Sequence, residues 1–286
     1  MPLLPPHFLD AVIAIGVGPA SNRQWIGTGF FYGLPVDPND KSEARKYTIF
    51  LVTNRHVVAG LKTACIRLNS QADNTYKEYE ISLVAKNGKP VWVGHPDPKV
   101  DIVALWINGG FLQSDRRRFS FFEEDNSVIT AAKLKGSSLS EGDGVFLLGY
   151  PMGLVGQHHH VICRSGSIAR MRDVKEGDGK EILIDGLVFP GNSGGPIITR
   201  PTSHSLAGSE AFSSAHLLGI VTSYVPYRDV AISQQTKNPR IIFEENSGLC
   251  VAHAAELILE TVSATHTRHK VRIKSNARKV AAPKKP

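Results

Sequence analysis

The stretch "DGLVFPGNSGGPIITR", residues 185–200, sets Ser193 among Gly191, Gly194 and Gly195, with Pro190 and Pro196 on either side. As a bare pattern it permits a tight turn between strands, the nucleophile elbow of an α/β-hydrolase, or a loop that presents a catalytic serine. An elbow needs a strand before the serine and a helix after it. Here two glycines and Pro196 follow, which open a helix poorly, and the next residues, "IIT", read as strand. The elbow also needs an acid and a base downstream. The candidates there are Asp229 and His253, and His253 falls in a helical pattern with no turn to place it. The elbow is set aside, and the partners are sought upstream.

A histidine stands in "FLVTNRHVVAG", where His56 follows an apolar run and a Thr-Asn pair suited to a turn. An aspartate stands in "KVDIVALWI", where Asp101 heads an apolar strand and its carboxylate comes to a sheet edge. An unpaired, partly buried carboxylate is costly, so Asp101 wants a donor such as a histidine ring N–H. Each residue alone has a bland structural role. Together they run in the order His, Asp, Ser, one of the known chain orders of a nucleophilic triad.

The rest of the chain frames these three. Of 286 residues, 42% are hydrophobic and 21% charged, values of a folded domain. No apolar run reaches the length of a membrane helix. Short β-rich runs dominate, among them "AVIAIGV" (11–17), "YTIFLVT" (47–53), "GVFLLGY" (144–150) and "EILIDGLV" (181–188), separated by Gly, Pro, Asn and Asp. That spacing predicts an all-β sandwich or barrel protein. One helix is expected, at 250–262, from Val251, Ala255, Ile258 and Val262 at helical spacing. Exposed loops are expected at 35–46, 109–135 and 200–215. Residues 264–286 carry eight Lys and Arg and no acid, and removing them takes the formal net charge from +7 to −1. This segment reads as a disordered tail that could meet nucleic acid or an acidic partner. The three cysteines, Cys65, Cys163 and Cys250, are odd in number and far apart, which argues for buried free thiols and a reducing compartment. With no signal-like N-terminus, a cytoplasmic setting is expected.

At this point the chain resembles the chymotrypsin-fold, trypsin-like serine proteases, and is closest in pattern to the bacterial high-temperature-requirement (HtrA-like) branch. The resemblance is carried by "GTGFFYG" (27–33), "LVTNRHVV" (51–58), "DIVALWI" (101–107), "EGDGVFLLGYPMGL" (141–154), "GSIARM" (166–171), "GNSGGP" (191–196) and "HLLGIVTSY" (216–224). It implies one protease domain over residues 1–263, made of two antiparallel six-stranded β-barrels at about 10–108 and 140–250 and a helix at 250–262. It also implies a serine endopeptidase acting on proteins or peptides without a cofactor. His56 would be the general base, Asp101 its orienting acid and Ser193 the nucleophile, with the Gly191 and Ser193 N–H groups as the oxyanion hole. Leu187, six residues before the serine, would floor the pocket for the residue before the cleaved bond, which implies an apolar preference. Thr222, Ser223 and Tyr224 would pair with the substrate as a strand.

The chain also departs from the digestive-type pattern. Asn192 stands where an Asp that pairs with a freed N-terminus is usual, so no activating cut is expected. From the short basic segment after the helix, no PDZ domain like that of the HtrA-like branch is expected. "HHH" (158–160) invites a metal, but adjacent histidines on a strand alternate faces, so no metal site is expected. The rival function is a catalytically silent protease fold that binds nucleic acid or an acidic partner through its basic tail.

Overall fold

The computed structural model describes residues 3–73, 75–202 and 212–281, and the side chains of those up to 270. The fold is the expected all-β pair with a C-terminal helix. The first unit holds β1 (Val12–Val17), β2 (Gln24–Pro35), β3 (Tyr47–Thr53), β4 (Thr63–Asn69), β5 (Tyr76–Ser82), β6 (Val93–Gly94), β7 (Val103–Ile107) and β8 (Phe122–Glu123). Their order is β5-β4-β1-β2-β3-β7-β6, with β8 laid parallel on β2. The second unit holds β9 (Gly144–Gly149), β10 (Ile162–Arg170), β11 (Glu181–Asp185), β12 (Pro196–Thr199), β13 (Leu217–Ile232) and β14 (Pro239–Ala254), closed in the order β10-β11-β14-β13-β12-β9.

The two units close differently. The second is the six-stranded barrel that was expected; the first is a curled half-barrel. Its β6 has only two residues, too few to bridge a seam. The chain between β5 and β6 is instead held to itself by a bridge from Val84 to Pro90 and by the Val91 N–H donating to Leu83 O at 3.0 Å.

One apolar core runs through both units. Phe30 and Tyr32 of β2, Phe50 of β3, Leu148 of β9 and Ile220 of β13 belong to it, together with Ile258 and Val262 of the helix. Burial on this scale, at about 25 cal/mol per Å² of apolar surface, fixes the two units against each other. The cleft between them can therefore hold side chains from both in register.

Residues 109–135, expected as an exposed loop, are a packed connector. Phe122 and Val128 are fully buried, and Ile129 and Leu134 nearly so. The charged run around them hides these anchors in the sequence. The loop expected at 200–215 falls largely outside the described residues. Cys65 and Cys250 are buried as expected, but Cys163 is exposed, on the outer face of β10.

The helix differs from expectation at both ends: it spans Ala255–Ala281. Residues 250–254 are the end of β14, where His253 pairs with Glu181 on one side and Ile220 on the other. Val251 satisfies helical and strand spacing alike, so the pattern could not separate them. Beyond 262 the helix stays docked. Thr261 and Thr265 are buried, and their hydroxyls donate to Leu257 O at 2.7 Å and Thr261 O at 2.8 Å, four residues back. His266 meets Phe50 edge-on, and His269 stacks on Trp106 with ring centroids 4.4 Å apart. The segment read as a tail from 264 thus begins as a packed helix, because its polar residues satisfy themselves along the helix. A chain cut after Ser263 is expected to melt several degrees below one cut after Lys270 in a thermal scan; equal Tm values would show that this docking contributes nothing.

Candidate active site

Three elements deliver the site. β3 ends at Thr53, and a helical turn, Arg55–Val58, follows and carries His56. Asp101 lies just before β7. Ser193 lies in the loop between β11 and β12 of the second unit. Packing of the two units brings all three to one cavity of ≈ 590 Å³.

The His56 and Asp101 side chains are joined at 2.5 Å, Nδ1 to Oδ2, and the His56 backbone N–H donates to Asp101 Oδ1 at 3.1 Å. With Nδ1 donating, Nε2 is the ring's acceptor. The ring is half exposed and the carboxylate about one third. Burial alone would raise the Asp101 pKa. The His56 ring bond, the His56 charge and the backbone donors outweigh it and leave the carboxyl below its ordinary value.

Asp101 is also fixed through its own backbone. Its carbonyl accepts from Asn54 Nδ2 at 2.8 Å and from the Arg55 N–H at 3.4 Å. Its N–H donates to Nε2 of His253 at 3.1 Å. His253 is buried, and burial lowers its pKa. It must be neutral to accept that bond. Sequence reasoning placed His253 only as a poor base for the elbow; its role depends on β14 reaching the Asp101 loop, a contact across 152 residues.

The loop that carries Ser193 points its amides in two directions. The Asn192, Gly194 and Gly195 N–H groups donate inward, to Phe189 O at 2.9 Å, Val221 O at 3.0 Å and Asn192 O at 2.8 Å. Among the described residues the Gly191 and Ser193 N–H groups have no protein acceptor, so two amides, one residue apart, stand open. Gly191 has φ +97°, and a Cβ there would come within 2.3 Å of Tyr150 O, so only glycine fits. Asn192 is buried, and its Oδ1 accepts from the Phe189 N–H at 3.0 Å, closing the loop on itself.

Thr28 of β2 ties this loop to the first unit. Its N–H donates to Ser193 O at 2.9 Å, and its hydroxyl donates to Gly191 O at 2.6 Å while accepting from the Tyr150 N–H at 3.0 Å. Thr28 O in turn accepts from the Thr53 hydroxyl at 2.7 Å. Nothing in "GTGF" alone announces this clamp, because its partners lie more than 120 residues away. The Ser193 hydroxyl itself donates to Thr222 O at 3.4 Å rather than to His56.

Of the other expected site residues, Thr222, Ser223 and Tyr224 line the cavity, as do Val188, Val221 and Val251. Leu187 does not: it is 43% exposed and lies outside the cavity, while its neighbour Val188 is turned inward and buried. Alternation along an extended segment places successive side chains on opposite sides, so counting back from the serine chose the wrong neighbour. His158–His160 lie in a turn before β10 rather than on a strand, and the His158 and His160 rings come within 5.8 Å of each other while His159 turns to the other side. His159 is buried edge-on to Trp25, and burial lowers its pKa to about 4.

A family model described as a trypsin-like peptidase domain matches residues 27–204. No curated protein matches the chain. Among solved structures, the MamO protease domain from Magnetospirillum magneticum is 15% identical with TM-score 0.47, over 88% of this chain and 96% of that one. The HtrA-type protease AlgW, solved with a decapeptide, is 17% identical with TM-score 0.43, over 92% of this chain and 66% of that one. An inactive form of Rv3671c from M. tuberculosis H37Rv is 17% identical with TM-score 0.45, over 91% and 88%.

Thr28→Val keeps the shape and removes the hydroxyl, leaving Tyr150 N–H and Gly191 O buried without it. Urea denaturation is expected to show a loss of about 1–3 kcal/mol that Thr28→Ser largely avoids. For His253 the folded pKa lies below the unfolded one. Its stabilising contribution is full above about pH 6.5 and is lost as pH falls through the lowered folded value. Thermal scans of wild type should therefore decline more steeply from about pH 7 to pH 5 than those of His253→Gln, which keeps an acceptor but does not titrate.

Proposed function

This chain belongs to the trypsin-like peptidase family, and from that premise we propose that it is a serine endopeptidase using His56, Asp101 and Ser193. The observation that carries the reading is the convergence of these three on one cavity, beside two open N–H groups. His56 Nε2 would take the proton of the Ser193 hydroxyl as Oγ attacks the scissile carbonyl. The oxyanion would settle against the Gly191 and Ser193 N–H groups, each worth roughly 3 kcal/mol of transition-state stabilisation. Asp101 would hold the ring in the Nδ1–H tautomer and stabilise the imidazolium. His56 would then return the proton to the leaving amine, and a water activated by the same ring would hydrolyse the acyl-enzyme.

The serine must first turn. Its bond to Thr222 O is long at 3.4 Å, and one rotation about χ1, a picosecond-to-nanosecond event, would redirect it. A substrate added as a strand along Thr222–Tyr224 would offer its own N–H groups to that edge and compete for the Thr222 carbonyl. Binding and serine release are then the same step. Asn192 supports activity without an N-terminal cut: its amide is bonded within the loop, so no freed amine is needed as a partner. Val188, Val221 and Val251 on the cavity wall favour a small or medium apolar residue before the cleaved bond.

A fluorophosphonate probe is expected to label wild type and not Ser193→Ala, read by intact-protein mass. Asp101→Asn should lower kcat by about four orders of magnitude. An unlabelled, folded wild type would sink this reading, and a peptide library cleaved mainly after Arg would sink the apolar preference.

A further inference from the structure

β13 and β14 are sixteen residues each, far longer than their barrel neighbours. β13 pairs with β12 as far as Ile220, and β14 pairs with β11 from Leu249 onward. From Pro226 opposite Asn246 to Ile232 opposite Pro239 the two strands pair only with each other. This part is a ribbon standing off the barrel, about 20 Å long at the usual strand rise. Two-stranded ribbons are marginal in water unless a face is covered. Yet Tyr227, Val230, Ile232, Ile241, Ile242 and Phe243 are each at least 40% exposed.

The two faces are not equivalent. Directly opposed residues share a face, so Val230 and Ile242 lie on the side of the Arg228–Glu244 ion pair. Glu244 also accepts from the Tyr224 hydroxyl at 2.9 Å. Tyr224, Pro226 and Glu244 line the catalytic cavity. The apolar face bearing Val230 and Ile242 is therefore the outward continuation of the cavity wall. Tyr227, Ile241 and Phe243 lie on the opposite face.

We infer that this face is an exosite for an extended, apolar stretch of the polypeptide being cleaved. The inference rests on the peptidase reading above. Continuity with the cavity selects the occupant: a chain lying along Thr222–Tyr224 has the ribbon as its next surface. An unfolded segment is the occupant that fits, because a folded protein buries most of the apolar side chains that a strip of this length would meet. For a substrate strand antiparallel to β13, the contacted residues lie N-terminal to the cleaved bond, starting about four residues before it and extending for about six more. Long unfolded chains are thereby preferred over short peptides with the same cleavage site.

The triple variant Val230→Thr/Ile232→Thr/Ile242→Thr keeps β-branched residues in the ribbon and removes the exposed aliphatic side chains of Val230 and Ile242 together with Ile232, two residues beyond Val230 on the same strand. Steady-state kinetics are compared on a tetrapeptide anilide and on reduced, carboxymethylated α-lactalbumin, with circular dichroism confirming the fold. The expected result is at least a tenfold rise in KM for the unfolded protein, with kcat/KM for the tetrapeptide and fluorophosphonate labelling unchanged. Fluorescence anisotropy with labelled carboxymethylated α-lactalbumin and the Ser193→Ala protein reads binding without turnover, and the triple substitution should weaken it at least tenfold in that background. This second measurement stands even if the peptidase reading fails, which would be seen as an unlabelled wild type. Equal losses on both substrates, or no loss on either, would overturn the exosite. So would a dimer in light scattering that the substitutions convert to monomer, since the ribbon would then belong to a second copy of the chain.

Discussion

Thr28 is the point at which two separately folded sheets become one site. Its hydroxyl and N–H hold both Gly191 and Ser193 by their carbonyls, and its own carbonyl is held by Thr53, which ends the strand leading to His56. The Ser193 N–H shares its peptide with Asn192 O, which the Gly195 N–H holds at 2.8 Å, so the turn itself aims that amide while Thr28 fixes the carbonyls of Gly191 and Ser193 on either side of it. A buried hydroxyl with both donor and acceptor capacity filled is stable only in one geometry. Thr28 thus carries core packing between the units into the backbone geometry around Ser193.

On the acid side the same result is reached through a different chain of contacts. Asp101 is gripped at its carboxylate, carbonyl and N–H by His56, Asn54 and His253. The loop before it is held by His95, whose backbone N–H donates to Ile102 O at 3.0 Å and whose ring joins Glu260 of the C-terminal helix at 2.8 Å. The ring's other nitrogen accepts from the Asp97 N–H at 3.0 Å. Asp97 also pairs with Lys180, next to β11 of the second unit. The helix is therefore a brace on the loop that carries Asp101, and its turn at His266–His269 lies against the same half-barrel.

What the sequence displayed were local signals, and what it concealed were long-range ones. "GNSGGP" announced its loop because a left-handed glycine and a proline leave marks that any context preserves. His56 and Asp101 were legible because each ends or begins an apolar strand. Thr28 and His253 were not, since each matters through a partner more than 120 residues away. The helix boundary failed at Val251 because periods of 2 and 3.6 agree over so short a run. The tail misled because Thr261 and Thr265 look polar by type, yet bury once their hydroxyls bond to the helix itself. Leu187 failed by one residue, and in an extended segment one residue is the difference between wall and solvent. The connector at 109–135 hid its buried anchors among charges, and the half-open first unit could not be read from strand runs that say nothing of closure.

The site also shows how little charge its loop requires. A carboxylate at position 192, buried as Asn192 is, would demand a cation beside it. The amide needs only the Phe189 N–H, three residues away, and that bond comes with the turn itself. Order in the loop is then a property of the folded chain, and the remaining freedom is confined to the Ser193 side chain and its weak bond to Thr222 O. On the proposed reading that carbonyl lies on the strand edge a substrate would extend, so the last adjustment would fall to the substrate. A loop fixed by backbone bonds and a serine released by strand addition would then place control of the chemistry in the length and shape of what binds, and the long β13–β14 ribbon, as the proposed exosite, would extend the same control away from the cavity.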